Sequence, residues 1–270
     1  MVVSRRGRLL RDEARRGASP ARGGVASAPL VRRLYRDWFG LVVARLAPVP
    51  GATVELGSGI GAFKEYYPAA LTTDVEPTPW AERVADAELL PFEDTSVANL
   101  VLIDVFHHLA RPRRFLDAAA RVLSPGGRVI IVDAYCSPVS YRVYRRFHQE
   151  RTDMSATPFA DDPASAASPM AANPARATLV FFRHGDEFER RCPQLAVVEQ
   201  IRLAFLLYPL SGGYRHRPLV PAVLYRPLAA LERLLAPLAP LLAFRCLVVL
   251  ERRPDSQPAD VSSAGGRVRS

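Results

Sequence analysis

Thr53-Val54-Glu55-Leu56-Gly57-Ser58-Gly59-Ile60-Gly61 decides how this chain is read. Thr53 to Leu56 has the β-branched and apolar character of a short strand, with an acid, Glu55, inside it. Glycines then stand at every second position. A strand feeding a glycine loop lets backbone, and not side chain, approach a ligand: glycine has no Cβ to hold the ligand off and accepts positive φ.

Outward from the loop the order of motifs narrows the reading. An acid closes the next strand-like run, Leu71-Thr72-Thr73-Asp74. Asp86-Ala87 and Leu90-Pro91-Phe92 follow. A nearly continuous apolar run over 97–103 leads into Asp104-Val105-Phe106-His107-His108, and Leu123-Ser124-Pro125-Gly126-Gly127 precedes a further apolar strand. Strand-like and helix-like runs alternate, which argues for a parallel sheet covered by helices. The patterns predict a helix over 31–46, ended by Pro48 and Pro50, and strands over 54–56 and 71–74 with a helix over 62–67 between them. A short third strand ends at Asp86. A buried strand over 97–103, a helix over 113–123 and a strand over 129–132 complete this half. Beyond Asp133 the expectations are helices over 139–150 and 186–192 and strands over 197–207 and 244–251.

Taken in this order, the set resembles the class I S-adenosylmethionine-dependent methyltransferases, in particular the branch that includes the quinone-biosynthesis methyltransferases and many small-molecule methylating enzymes. The specific motifs cover about residues 50–135. Dinucleotide-binding folds use GxGxxG, whereas here the spacing is GxGxG with an acid two residues before it. The resemblance implies an α/β, Rossmann-like seven-stranded class I methyltransferase sheet with helices on both faces. Its last two strands form an antiparallel pair, and an apolar insertion over 209–243 precedes the last strand. It also implies S-adenosyl-L-methionine as cofactor, bound over Glu55, Gly57, Ser58, Gly59, Gly61, Asp74, Val75, Asp86, Ala87 and Asp104. In that reading Glu55 orders the loop and helps receive the cofactor's ammonium group. Asp74 accepts from two vicinal hydroxyls, or else caps the next segment. Asp86 and the Ala87 N–H meet the adenine, with Leu89, Leu90 and Phe92 lining its slot or joining the core. No metal is implied.

His107 and His108 follow the fourth strand, at the carboxyl edge where ligands bind in such sheets. As candidate catalytic residues, either imidazole takes a proton from an acceptor hydroxyl or amine; the alternative is that they cap the next helix or pack beneath the loop. The expected reaction moves a methyl group to an O, N or C nucleophile of a small-molecule or lipid-like acceptor. Two other readings share the motifs: a non-catalytic binding protein of the same fold, and a nucleic-acid methyltransferase using a basic tail.

That tail is the main feature of the charge pattern. The net charge is +9, yet ten arginines against Asp12 and Glu13 in the first 36 residues supply nearly all of it. The basic character thus belongs to a leader and not to a groove, which argues against nucleic acid as partner. The expected organisation is a disordered Arg-rich tail over 1–28, a methyltransferase domain over 29–253 with a mobile loop at 152–177, and a second disordered tail over 254–270. Leu228, Leu231, Leu235, Leu238 and Leu242 form a helical stripe in the insertion. The stripe suits burial in the domain or a homodimer, or alternatively a hydrophobic mouth and peripheral membrane contact. Cys136, Cys192 and Cys246 show no CxxC or Cys/His spacing, so neither a disulfide framework nor a zinc site is indicated. No apolar run approaches the 18 or so residues of a membrane span, and no signal-peptide pattern opens the chain. A cytoplasmic setting is expected.

Overall fold

The computed structural model describes residues 29–162, 165, 172–212 and 218–254 of the 270-residue chain. The expected tail over 1–28 and all but Pro254 of the expected tail over 254–270 lie outside the described residues, as do parts of the 152–177 segment and of the insertion.

Seven strands form one sheet: β1 (Ala52–Leu56), β2 (Leu71–Asp74), β3 (Arg83–Val84), β4 (Val97–Ile103), β5 (Leu123–Ala134), β6 (Leu195–Leu203) and β7 (Arg245–Arg252). Their spatial order is β3-β2-β1-β4-β5-β7-β6. The first five are parallel, and β7 runs antiparallel to both β5 and β6, as expected for the last pair. The central strands are apolar on both faces because both faces are covered. On one face Val54, Leu56, Leu100, Leu102, Val129, Ile131 and Val248 meet Phe106, Phe115, Leu116 and Phe181; α2 (Pro112–Val122) and α4 (Gly185–Arg191) lie on this side. On the other face Val101, Ile130, Val132, Leu247 and Val249 meet α1 (Pro29–Val43). The period-2 alternation along each strand sorts the side chains between the two layers.

Helix α1 has no acid in its first turn and no base in its last. Burial holds it: Leu30, Val31, Leu34, Tyr35, Trp38, Phe39 and Val42 all face the sheet. At about 1.5–3 kcal/mol for each large side chain, this outweighs the roughly 0.3–1 kcal/mol that a favourable end charge would add. The chain then enters β1 through Asn99, whose Oδ1 accepts from Ala47 N–H at 2.7 Å and whose Nδ2 donates to Thr53 Oγ1 at 3.1 Å.

Three local departures from the sequence pattern have physical causes. The helix expected over 62–67 is only a 3₁₀ turn, Phe63–Glu65; Pro68 restricts Tyr67 and has no N–H to carry the turn onward. The strand expected over 197–207 stops at Leu203, because Ala204 adopts φ 60° and α5 (Leu207–Ser211) begins. Glu232 of α6 (Tyr225–Leu234) secures that corner by accepting from Leu207 N–H at 2.7 Å. The leucine stripe of the insertion is divided: α6 ends at Leu234, and Pro237 and Pro240 shape a 3₁₀ turn and the short α7 (Ala239–Leu242). Leu235 and Leu242 pack against the core below β7, Leu228 packs on the α1 side, and Leu231 and Leu238 stay exposed.

Candidate active site

The glycine loop crosses the carboxyl edge of β1. Gly57, Gly59 and Gly61 have φ of 67°, 53° and 69°, the left-handed region in which glycine alone is unstrained. A Cβ on Gly57 would sit 2.6 Å from a Val105 methyl, so the loop is clamped onto the segment after β4. Gly59 differs. A Cβ there would meet only open space, apart from the Gly57 carbonyl at 4.0 Å. Ser58 N–H donates to Thr73 O at 2.8 Å and Gly59 N–H to Asp74 Oδ2 at 2.9 Å, which ties the loop to the end of β2.

Glu55 is 4% exposed, and its Oε2 and the Ser58 Oγ are buried without a hydrogen-bond partner. Burial, and then the nearby charge of Asp74, pushes the Glu55 carboxyl up to about 8, against a smaller pull downward from Lys64. An unpartnered buried acid beside an open glycine cradle is a costly arrangement unless a ligand with a donor or positive charge completes it. It fits the ammonium end of S-adenosylmethionine.

The other expected cofactor residues are spread along the same edge. Asp74 is buried at the end of β2, and Val75 next to it is 57% exposed. Asp86 is exposed; its Oδ1 accepts from Glu88 N–H at 2.8 Å and so shapes its own turn. Ala87, Leu90 and Phe92 pack into or against the core, while Leu89 is 67% exposed. Asp104, at φ 59°, is held by Tyr35 Oη–H at 3.1 Å and by the Arg245 guanidinium. Arg245 is buried, with Trp38 and Tyr208 rings 5.3 Å from its guanidinium carbon. The carboxylate therefore serves first to neutralise that cation.

His107 is buried with a carboxylate beside each ring nitrogen. Nδ1 lies 2.7 Å from Asp133 Oδ1 and Nε2 lies 3.5 Å from Glu150 Oε2. Burial alone would lower its pKa, but Asp133 and Glu150 together outweigh that and raise it to about 10. The two carboxylates thus favour the protonated ring. The His108 ring packs 4.1 Å from it, centroid to centroid.

Glu88, Asp133, Glu150 and Arg245 are site-edge residues to which the sequence reading gave no role. Glu88 is buried and takes Arg111 N–H and Nε–H, both at 2.7 Å. A charge at the end of an otherwise apolar strand is the only signal Asp133 and Arg245 offer; Glu150 offers none. The described part of 152–177 packs down on this edge: Asn173 N–H donates to His107 O at 3.2 Å and Asp162 N–H to Ala110 O at 2.7 Å.

Residues 54–131 match the sequence family described as methyltransferase domain. This stretch is thus a methyltransferase domain. Over 55 residues it is 40% identical to the demethylmenaquinone methyltransferase of Clavibacter sepedonicus, a match covering 20% of this chain and 22% of that protein. The alignment therefore spans about a fifth of that relative's length. Among solved structures, a chain in the complex of the Haloferax volcanii Trm112 methyltransferase activator with a methyltransferase is 18% identical, with a TM-score of 0.48, covering 94% of this chain and 100% of that one. The geranyl diphosphate C-methyltransferase of Streptomyces coelicolor A3(2) is 13% identical, with a TM-score of 0.47 over 82% of this chain and 77% of that one. Among the described residues, no helix is long and apolar enough to cross a membrane.

Proposed function

We propose that this protein transfers a methyl group from S-adenosylmethionine to an O, N or C nucleophile of a small-molecule or lipid-like acceptor. The observation that carries the reading is the buried, unpartnered Glu55 carboxyl beside a cradle that opens at Gly59. In this reading Glu55 receives the ammonium group, with the loop backbone of residues 57–61 around it. Asp74 and Val75 face the ribose diol, Asp86 and Ala87 face the adenine, and Asp104 stands at the end of β4 beside the donor. When bound, the cofactor supplies an electrophilic methyl on a sulfonium.

The chain's own contribution is placement, since in-line displacement depends first on proximity and orientation. His107 has a carboxylate on each side and is assigned no proton-accepting role. The packed segment over 172–177 lies across the edge beside His107 and supports exclusion of water there. On the acceptor side, a cavity of about 750 Å³ is lined by Cys136, Tyr141, Arg142, Arg145 and Arg183 just after β5. No residue of the glycine loop lines it, so it is read as space for the acceptor and not for the donor. Exposed Leu219, Val223 and Leu234 in the insertion favour an acceptor with apolar character.

The test is transfer of radiolabelled methyl from S-adenosylmethionine into fractionated cell extract, with lipid and aqueous fractions counted separately. Label enters one fraction with the wild-type chain and not with Gly59→Arg. Equal labelling with both, or none with either across all fractions, contradicts the proposal.

A further inference from the structure

Three of the protein's five histidines gather around one buried carboxylate. His107 and His108 lie just after β4, and His148 and Glu150 follow α3 (Pro138–Phe147). We propose that His107, His108 and Glu150 bind one divalent transition-metal ion of the zinc type, with Asp133 fixing the imidazole of His107. The ligand-capable atoms of the three residues lie within 4.8 Å of one another. His107 Nε2 and Glu150 Oε2 are 3.5 Å apart. Nitrogen and oxygen ligands at 2.0–2.2 Å from a tetrahedral ion stand about 3.3 Å from each other, so this pair is already close to spacing and only His108 has to close in.

The surroundings are those of a ligand set. Asp133 is fully buried, and its Oδ1 lies 2.7 Å from His107 Nδ1. With the Nδ1 proton directed at Asp133, an ion that displaces the proton on Nε2 meets a lone pair aimed toward Glu150, the carboxylate–histidine–metal arrangement. Asp133 is itself held, accepting from the backbone N–H of His107 at 3.2 Å and of Ala134 at 2.6 Å. His107 is pinned again where its carbonyl accepts from Asn173 N–H. Two buried carboxylates flank this one imidazole, and a dication in place of its Nε2 proton puts further positive charge between them. His148 Nδ1, at the exposed rim, lies 3.8 Å from the same Glu150 oxygen.

Two imidazoles and one carboxylate, without a thiolate, suit zinc and its neighbours in the first transition row better than calcium or magnesium. Three protein ligands leave a fourth position for water or an acceptor heteroatom, the pattern of catalytic and not of structural zinc. Such an atom would be acidified at a point close to the glycine loop, since a Cβ on Gly57 would stand 2.6 Å from Val105, two residues before His107. The binding proposal stands on this geometry whether or not methyl transfer is the reaction.

The test uses the full, untagged chain stripped with chelator and titrated with Zn²⁺ against a chromophoric competitor. One equivalent binds with a submicromolar Kd. Glu150→Gln and His108→Ala each weaken it, and Asp133→Asn weakens it by about 10- to 100-fold. His184→Ala, on a histidine outside the cluster, leaves it unchanged. Circular dichroism shows that each variant is folded. Should a variant not fold, Co²⁺ added to wild type decides: a visible d–d band that Zn²⁺ abolishes supports the site. A wild-type Kd above about 10 µM, no Co²⁺ band, or folded Glu150→Gln and His108→Ala variants that bind as wild type would overturn it. The cluster would then be a proton-bridged imidazole between two carboxylates.

Discussion

Glu55 concentrates the energetics of the site in one side chain. Its carboxyl is raised from 4.5 in the unfolded chain to about 8 in the fold. Between these values the folded state holds a proton that the unfolded state has lost, so stability is highest at the acid end and falls as pH rises towards 8. The slope is at most about 1.4 kcal/mol per pH unit. Urea denaturation at stepped pH values should show this decline in wild type, and Glu55→Gln should flatten it. On the proposed function, an ammonium beside Glu55 favours the carboxylate. Affinity for S-adenosylhomocysteine should therefore weaken as pH falls below 8, by up to about tenfold per unit, and proton release should appear as a buffer-dependent binding enthalpy. Asp104 makes a separate prediction. Removing it by Asp104→Ala leaves the Arg245 cation buried between aromatic rings, at a cost of about 3–5 kcal/mol in urea denaturation, whereas Asp104→Ala with Arg245→Met should recover much of that loss.

At the scale of elements, the strands and loops of the first half were legible because their apolar runs and glycines obey local rules. The apolar run over 97–103 coincides with β4, and the glycine loop lies where the strand pattern ends. The Pro-Gly-Gly turn was located correctly but not its form. It lies within the twelve-residue β5, where the register against β4 shifts between Val97 and Asn99. A Cβ on Gly127 would stand 2.8 Å from the backbone carbonyls of Ala98 and Ser124. Gly127→Ala should therefore cost about 1–3 kcal/mol by forcing the two strands apart, read as a lowered urea midpoint. The shortened helix after Gly61 and the early end of β6 were not legible, since Pro68 and the left-handed Ala204 act through backbone geometry that hydropathy patterns do not carry.

At the scale of the whole molecule, the sheet order brings the glycine loop, the end of β2 and the ends of β4 and β5 to one edge. Local motifs named the first three of these. The cluster of His107, Asp133 and Glu150 was illegible because its members are 26 and 17 residues apart and meet only through the packing of β5 and α3. The same is true of Asp104 and Arg245, separated by 141 residues. What the edge holds is the central claim, and calorimetry of the full chain with S-adenosylhomocysteine tests it most directly. The account predicts one saturable site in wild type that Gly59→Arg abolishes by filling the open cradle. No binding at high micromolar concentration, or binding indifferent to Gly59→Arg, would contradict it.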